Sequence, residues 1–299
     1  MRICCLINAR SGNESQQFTQ AVEAEFAKHN VDVEIIETED GSALPRLAKL
    51  AIEEDYDTIV AVGGDGTINA VASAVVGRPN IKFGVIPRGT LNHFAGALGI
   101  PNELEKAVKT IVAGYAKSVD VGQVNGKIFV NNSSLGLYPS IVKMREGLQK
   151  KGSSKWPAAL WSSIKIFFRF HRLSLDLAFA NGLERTQTTP MLFIGNNAYD
   201  TTIPKLGTRS SLEGGQIWIM MPTSTSRMGL LSSFVKIIFG RETAKDAVTL
   251  ETKELTVTSN RGMEKVAIDG EVIRLQSPFK YKILPKSLRV IVPVSDALC

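Results

Sequence analysis

The chain has 299 residues, of which 44% are hydrophobic, and a net charge of +6. This length allows one large domain or two ordinary ones, and the apolar fraction predicts a packed core and argues against disorder. The three cysteines, Cys4, Cys5 and Cys299, form neither a disulfide framework nor a zinc motif, and no run approaches the roughly 18 apolar residues that span a bilayer. We therefore expect a protein of the cytoplasm, whose basic excess suits nucleotides, nucleic acid or an acidic membrane surface.

Strand patterns alternate with helix patterns in the first 115 residues. In chain order the sequence predicts strands at 2–7, 31–36, 58–62 and 82–86, and helices at about 14–29, 44–51, 69–76 and 102–113. Asn102 and Glu105 resemble a capping box at the start of the last of these helices. Short strand–helix units in alternation predict a three-layer α/β domain with a mostly parallel sheet.

Short strands dominate after about residue 117. Asn125-Gly126 and Asn181-Gly182 are hairpin signals between strand-like runs, and further strands are predicted at 216–221, 255–258, 266–268 and 279–284. Helical patterns around 140–172 and 227–240 interrupt them. We predict a nucleotide-binding α/β domain at 1–117, completed by 286–299, and an antiparallel β-sandwich-like substrate domain with helical insertions at 118–285.

The glycine-rich segment 63–67, Gly-Gly-Asp-Gly-Thr, lies between the strand at 58–62 and the helix at 69–76. Three glycines in four residues leave little side chain to obstruct a ligand. A strand, a glycine turn and a helix together direct backbone N–H groups and the positive end of a helix dipole at a phosphate. The acid in this turn, Asp65, fits a phosphate site if a cation or a proton donor accompanies the phosphate.

Polar groups also follow two other strands of the predicted sheet. Asn8, Ser11 and the N–H of Gly12 follow the first strand, and Thr90 and Asn92 follow the fourth. Either segment alone is typical of an ordinary turn. Because ligands bind at the carboxyl ends of the strands in open α/β sheets, three polar strand ends together predict one nucleotide site.

The segment Asp269-Gly270-Glu271 lies between two short strands about 200 residues further along the chain. A hairpin turn is sufficient to explain Asp-Gly. The alternative is that Glu271 acts at the phosphate site as a general base. The spacing leaves both interpretations open.

Five segments, taken in order, resemble the diacylglycerol kinase catalytic-domain family. They are Gly63-Gly64-Asp65-Gly66-Thr67, Pro87-Arg88-Gly89-Thr90-Leu91-Asn92, Ala95-Gly96-Ala97-Leu98-Gly99-Ile100-Pro101, Asn131-Asn132-Ser133-Ser134-Leu135-Gly136 and Ile268-Asp269-Gly270-Glu271. That family includes bacterial lipid kinases, sphingosine kinases and ceramide kinases. It shares the glycine–Asp–glycine motif more distantly with NAD kinases and 6-phosphofructokinases.

The resemblance implies a two-domain lipid kinase that uses ATP and Mg²⁺. Carried onto this sequence, Glu271 would be the general base that takes the proton from a lipid hydroxyl, and Asp65 would act on the catalytic magnesium indirectly. Phosphoryl transfer needs positioning and charge neutralisation more than covalent chemistry, which agrees with these roles. The residues that would bind the nucleotide are Asn8, Ala9, Arg10, Ser11, Gly12, Thr38, Gly63, Gly64, Asp65, Gly66, Thr67, Ile68, Asn69, Ala70, Thr90 and Asn92.

One departure from the family concerns a structural magnesium ion in the second domain. The bacterial relatives carry an Asp-Asp-Gly-like segment that helps to bind this ion, and the matching stretch here is 211–216, Ser-Leu-Glu-Gly-Gly-Gln. Gly214 stands where the ligand Asp is expected, which speaks against the structural metal site.

The stretch 156–172 is relevant to whether the protein contacts a membrane. Leu160, Ile164, Phe167 or Phe168, and His171 share one helical face, and basic residues surround it. This pattern is typical of a helix that lies on an anionic membrane and also of a helix packed on the β domain. Both interpretations stay open.

The sequence thus predicts an ATP-dependent kinase that phosphorylates a lipid hydroxyl at the membrane surface, in the cytoplasm or at the inner face of the membrane. Two alternatives stay open: a kinase like NAD kinase, which has a soluble acceptor, and a nucleotide-binding module without catalytic activity. We expect no nucleic-acid partner, because the chain carries no helix-turn-helix signature. A homodimer is left open.

Overall fold

The computed structural model describes residues 2–9, 13–136, 172–200, 209, 211–223, 229 and 247–294. The chain divides into two compact units, Met1–Val121 with Leu284–Cys299, and Gly122–Ile283. Except for Arg172 and Gly229, the helical patterns predicted around 140–172 and 227–240 lie outside the described residues.

The described secondary structure comprises strands β1 to β16 and helices α1 to α5. The strands are β1 (Ile3–Asn8), β2 (Val33–Thr38), β3 (Thr58–Gly63), β4 (Lys82–Pro87), β5 (Ala116–Val124), β6 (Lys127–Phe129), β7 (Asn132–Gly136), β8 (Leu173–Phe179), β9 (Glu184–Thr189), β10 (Met191–Asn196), β11 (Ile217–Pro222), β12 (Ala247–Thr252), β13 (Glu254–Ser259), β14 (Met263–Ile268), β15 (Glu271–Gln276) and β16 (Phe279–Ile291). The helices are α1 (Asn13–Ala27), α2 (Leu44–Glu53), α3 (Asp65–Val75), α4 (His93–Ala97) and α5 (Leu104–Ala113).

The first unit is built on a parallel sheet with the strand order β2-β1-β3-β4-β16. β1 and β3 are buried along nearly their whole length, as expected of strands that helices cover on both faces. Alternate residues of β1 point to opposite faces, and one set shares a core with α1 and α5. That core includes Ile3, Cys5, Ile7, Val22, Phe26, Ala107, Val108 and Ile111. The other face carries α2 and α3, which pack against each other and against β1 and β3.

The second unit contains antiparallel sheets. One has the order β12-β11-β10-β7-β14-β15, and in the other β16, β13, β8 and β9 follow one another. Side chains from both sheets form one buried core, which includes Leu135, Ile194, Ile219, Val266, Leu175, Val257, Phe279 and Tyr281. The predicted fold class, an α/β domain followed by an antiparallel sandwich-like domain, is confirmed.

Two details of the first unit differ from the sequence prediction. Helix α3 begins at Asp65, so Gly66 and Thr67 belong to its first turn instead of a loop. The predicted capping box at Asn102 is wrong, because α5 begins at Leu104 after Glu103, with no side-chain cap. The side chain of Asn102 accepts a hydrogen bond from Asn92 instead (2.9 Å). In the part of the chain that the structure describes, no helix is both long enough and apolar enough to cross a membrane.

Candidate functional site

The parallel sheet brings the predicted nucleotide segments of the first unit to one edge. Asn8 and Thr38 are paired at the ends of β1 and β2, and Gly63 and Pro87 are paired at the ends of β3 and β4. The carboxyl ends of these four strands therefore carry the polar and glycine residues singled out in the sequence. Arg10, Ser11 and Gly12, which follow β1, lie outside the described residues.

The glycine turn forms the start of α3. Gly64 is the N-cap residue, with an extended backbone (φ −86°, ψ −176°), and it offers no side chain to the N–H groups of the first helical turn. Those groups have no partner within a helix, and the helix dipole adds partial positive charge at the same place. The N-terminus of α3 is therefore suited to an anion such as a phosphate.

Glycine is required in this turn because two loops touch through their backbones. A Cβ atom on Gly89 would lie 2.7 Å from the Cα of Gly64 and 2.6 Å from Oδ1 of Asn92. A Cβ atom on Gly63 would lie 2.6 Å from the hydroxyl of Thr67. The loop after β4 thus packs directly on the loop after β3 through the backbones of Gly89 and Gly64.

Asp65 connects these two loops. Its Oδ2 accepts the backbone N–H of His93 and its Oδ1 accepts the backbone N–H of Phe94, both at 3.2 Å. Because these N–H groups open helix α4, the carboxylate compensates the positive end of that short helix. The acid in the glycine turn therefore has a structural partner within the first unit, and its predicted effect on magnesium stays a prediction.

Asn92 shapes the loop after β4. It has a left-handed backbone (φ 48°), its Oδ1 accepts the N–H of Gly89 (2.8 Å), and its Nδ2 donates to Oδ1 of Asn102 (2.9 Å). Its carboxamide is thus already engaged within the protein, whereas its neighbour Thr90 is exposed. Arg88 places its guanidinium 4.1 Å from the centre of the Phe18 ring, in a cation–π contact.

The remaining residues of the first unit that were predicted to bind the nucleotide differ in how exposed they are and in their hydrogen bonds. The Nδ2 of Asn8 donates to the hydroxyl of Thr67 (3.3 Å), which links the end of β1 to the first turn of α3. The hydroxyl of Thr38 accepts the N–H of Asp40 (3.1 Å). Ile68 is fully buried in the core, so only its backbone could meet a ligand. The other predicted contacts at this edge are Ala9, which is buried, and Gly66, Asn69 and Ala70, which are partly exposed.

The second unit holds Glu271 at a tight hairpin. Asp269 and Gly270 both have positive φ (46° and 89°), as a type I′ turn between β14 and β15 requires, and Ile268 pairs with Glu271. Glu271 is the first residue of β15 and is exposed. The hairpin interpretation is therefore correct, and the role of Glu271 as a base stays a prediction.

Asp269 is the anchor of this hairpin. Its Oδ2 accepts the N–H of Val130 (2.7 Å), and its Oδ1 accepts those of Asn131 and Asn132 (2.8 Å each). Burial raises the pKa of Asp269 to about 6, while the three N–H groups and the charge of Arg209 act in the opposite direction. The sequence predicts Asp269 only as a turn residue and gives no sign that it anchors the hairpin.

The N-terminal part of the chain is similar in sequence to known proteins. Residues 2–124 match the diacylglycerol kinase catalytic domain. The diacylglycerol kinases of Staphylococcus aureus strains JH9 and Newman are each 43% identical to this chain over 90 residues, which are 30% of this chain and 29% of the relative. The match therefore spans less than a third of the length of these curated relatives.

Solved structures share the fold of nearly the whole chain. A diacylglycerol kinase from Bacillus anthracis str. Sterne superposes with a TM-score of 0.70 at 17% identity, over 98% of this chain and 97% of that one. An NAD kinase from Archaeoglobus fulgidus in complex with ATP gives 0.55 at 12% identity, over 99% and 94%. At these identities the likeness concerns the fold alone. The match in sequence over residues 2–124 is what confirms the predicted resemblance to the diacylglycerol kinase catalytic domain.

Proposed function

We propose that the chain is an ATP-dependent kinase that transfers the γ-phosphoryl group to the hydroxyl of a lipid at the membrane surface. The observation that carries this proposal is the glycine turn at the start of α3. Gly64 caps the helix without a side chain and lies against Gly89, which leaves the helix N-terminus open to a phosphate.

The first unit fits a nucleoside triphosphate. Cβ atoms on Gly63 or Gly89 would collide with neighbouring atoms at 2.6–2.8 Å, so these loops present backbone where other residues would present side chains. The polar groups of Asn8 and Thr67 lie at the same edge of the sheet. Backbone N–H groups held by rigid elements supply the positioning on which phosphoryl transfer depends.

Glu271 would supply the base. Its exposed carboxylate stands at the start of β15, on a hairpin that Asp269 anchors. In the proposed reaction the lipid hydroxyl gives its proton to Glu271 while its oxygen forms a bond to the γ-phosphorus. The bond between that phosphorus and the bridging oxygen breaks, and ADP leaves.

Asp65 would have a supporting role. Mg²⁺, when bound with the nucleotide, neutralises charge on the phosphates. Both carboxylate oxygens of Asp65 already accept an amide N–H, so this residue fits an indirect effect on the ion better than direct ligation. What Asp65 does itself is hold α4 against the glycine turn.

The matched relatives support a lipid acceptor, since they are diacylglycerol kinases. The fold shared with an NAD kinase favours one alternative, a soluble dinucleotide acceptor. The other is a nucleotide-binding module without activity. We place the protein at the cytoplasmic face of the membrane, where a diacylglycerol-like hydroxyl is available.

The acceptor can be found by a labelled-phosphate screen. The purified chain is incubated with [γ-³²P]ATP, Mg²⁺ and either total lipid extract or NAD, and each labelled product is identified by mass. We expect one phosphorylated lipid and no NADP. Formation of NADP would replace the lipid acceptor by a soluble one, and tight ATP binding without transfer to either would indicate the inactive module.

A further inference from the structure

The turn before β11 does not fit the structural magnesium ion that the family resemblance implies. Gly214 has no side chain to offer, and the N–H of Glu213 is bonded to the hydroxyl of Ser211 (3.1 Å). Among the described residues that line the adjacent cavity, of about 80 Å³, Glu251 is the single carboxylate. Within the described ranges of the chain, no group of three or more His, Cys, Asp and Glu side chains could hold a metal ion.

Asn197 occupies the room that a ligand side chain at position 214 would need. Its Oδ1 lies 2.7 Å from the point where a Cβ atom on Gly214 would be placed, and the residue is only 3% exposed. Its backbone N–H donates to the carbonyl of Gln216 (3.1 Å), and its Nδ2 donates to Oδ1 of Asn196 (3.2 Å). The turn is thus held from within the protein.

The same network continues to the loop 130–132. Asn196 donates from Nδ2 to the carbonyl of Val130 (3.0 Å) and from its backbone to the carbonyl of Asn131 (2.9 Å). Tyr199 donates its hydroxyl to that same carbonyl of Asn131 (3.0 Å). The N–H groups of this loop are the ones that Asp269 accepts, so the loop connects the turn before β11 to the hairpin that carries Glu271.

Arg209 supplies positive charge to this network. Its Nη1 donates to the carbonyl of Val130 (2.7 Å) and its Nη2 to Oδ1 of Asn131 (2.6 Å), while the guanidinium lies 5.5 Å from the centre of the Tyr199 ring. A planar guanidinium can make both hydrogen bonds at once. Since Asp269 binds the N–H groups of the same loop, the positive charge of Arg209 also compensates the negative charge of that carboxylate.

We propose that the guanidinium of Arg209, and not a divalent metal ion, is the cation that fixes the loop 130–132 and, through Asp269, the hairpin that carries Glu271. Arg209 is then a positioning residue, and its effect on catalysis depends on the proposed function. The contact of Arg209 with the loop 130–132, which we call the clamp, lies within the second unit and can be tested without any kinase assay.

The first test compares stability and amide exchange with and without metal. EDTA-treated, nucleotide-free protein is heated alone, with MgCl₂ or CaCl₂, and with NaCl at matched ionic strength. We expect the same Tm and the same hydrogen-exchange protection of peptide 128–136 in all four. A saturable rise in Tm or in that protection with either divalent cation would overturn the proposal.

The second test removes the guanidinium. Arg209→Met should lower Tm by several degrees and accelerate exchange in peptide 128–136. Arg274→Met, which removes an exposed arginine on β15, should change neither. Arg209→Lys should fall between wild type and Arg209→Met, because an ammonium cannot reproduce the two-pronged contact. Equal exchange in the Arg209 and Arg274 methionine variants would refute the clamp.

The third test concerns position 214. Gly214→Ala should lower Tm in the wild type, where its Cβ meets Asn197, and much less in the Asn197→Gly background. Residue 197 has a positive φ (64°), so glycine is well suited to that position. An equal loss in both backgrounds would show that Asn197 does not fill this space and would count against the metal-free turn.

Discussion

Replacement of Gly89 by alanine tests whether the two phosphate loops depend on contact between their backbones. The new Cβ would lie 2.7 Å from the Cα of Gly64 and 2.6 Å from Oδ1 of Asn92. Carbon atoms in contact prefer separations of about 3.5–4.0 Å, so the loops would have to part by roughly 1 Å. The variant therefore changes the shape of the proposed phosphate site without adding charge or removing a polar side chain.

The cost has two parts. Overpacking of a close contact costs about 1–3 kcal/mol of the free energy of unfolding. One hydrogen bond joins the two loops, from Arg88 N–H to the Gly63 carbonyl (2.9 Å), and a second lies within the loop after β4, from Gly89 N–H to Asn92 (2.8 Å). Each adds about 1 kcal/mol if it is lost. Gly64→Ala should cost less, because its Cβ would lie 3.2 Å from the Gly89 Cα.

Urea unfolding followed by circular dichroism measures the stability, and calorimetric titration measures the affinity for ATP. We expect Gly89→Ala to lower both, with ATP binding weakened at least about tenfold, or about 1.4 kcal/mol. Gly96→Ala is the matched control, because a Cβ there meets no atom within 4 Å and alanine favours the helix. If both variants unfold at the same urea concentration and bind ATP equally well, the backbone contact does not shape the site.

Two further predictions concern acids whose carboxylates accept backbone N–H groups. Asp65→Ala removes the acceptor of the N–H groups of His93 and Phe94 and should lower the free energy of unfolding by about 0.5–2 kcal/mol. Asp65→Asn should lower it less, and the exposed control Asp32→Asn should leave it nearly unchanged. The midpoints of urea unfolding measure all three. Asp269 has a pKa raised from 3.8 to about 6, so between these values the folded protein holds a proton that the unfolded chain has released. The contribution of Asp269 to the free energy of unfolding is complete below about pH 4. It is lost as the pH rises through 6, at up to about 1.4 kcal/mol per pH unit. The difference in unfolding free energy between wild type and Asp269→Asn should therefore fall over this range, and a flat or rising difference would contradict the raised pKa.

The strands of the first unit could be predicted because strands covered on both faces are continuous apolar runs, such as Ile59–Val62. β7 could not, because Asn132-Ser133-Ser134 is a polar run that only the sheet register buries, with Ser133 opposite Ile194 and Ile268. The strand predicted at 279–284 is part of a longer strand, β16, which continues into the segment 286–299 and ends at Ile291.

The candidate site was only partly predictable for the same reason. Local sequence revealed the glycine turn, since three glycines between a strand and a helix have few other uses. The partners of Asp65 and of Asp269 were hidden, because they are backbone N–H groups that carry no sequence signal. Arg209 lies more than seventy residues from the loop it binds, so nothing near it in the sequence marks it.

The most direct test of the account is phosphoryl transfer by the Glu271→Gln variant. Transfer from [γ-³²P]ATP to the acceptor lipid is measured for wild type, Glu271→Gln and the exposed control Glu254→Gln, together with ATP affinity. We expect Glu271→Gln to lose about 10²–10⁴-fold in turnover with unchanged ATP affinity, and the control to match wild type. Near-wild-type turnover by Glu271→Gln would contradict the assignment of the base and with it the proposed mechanism.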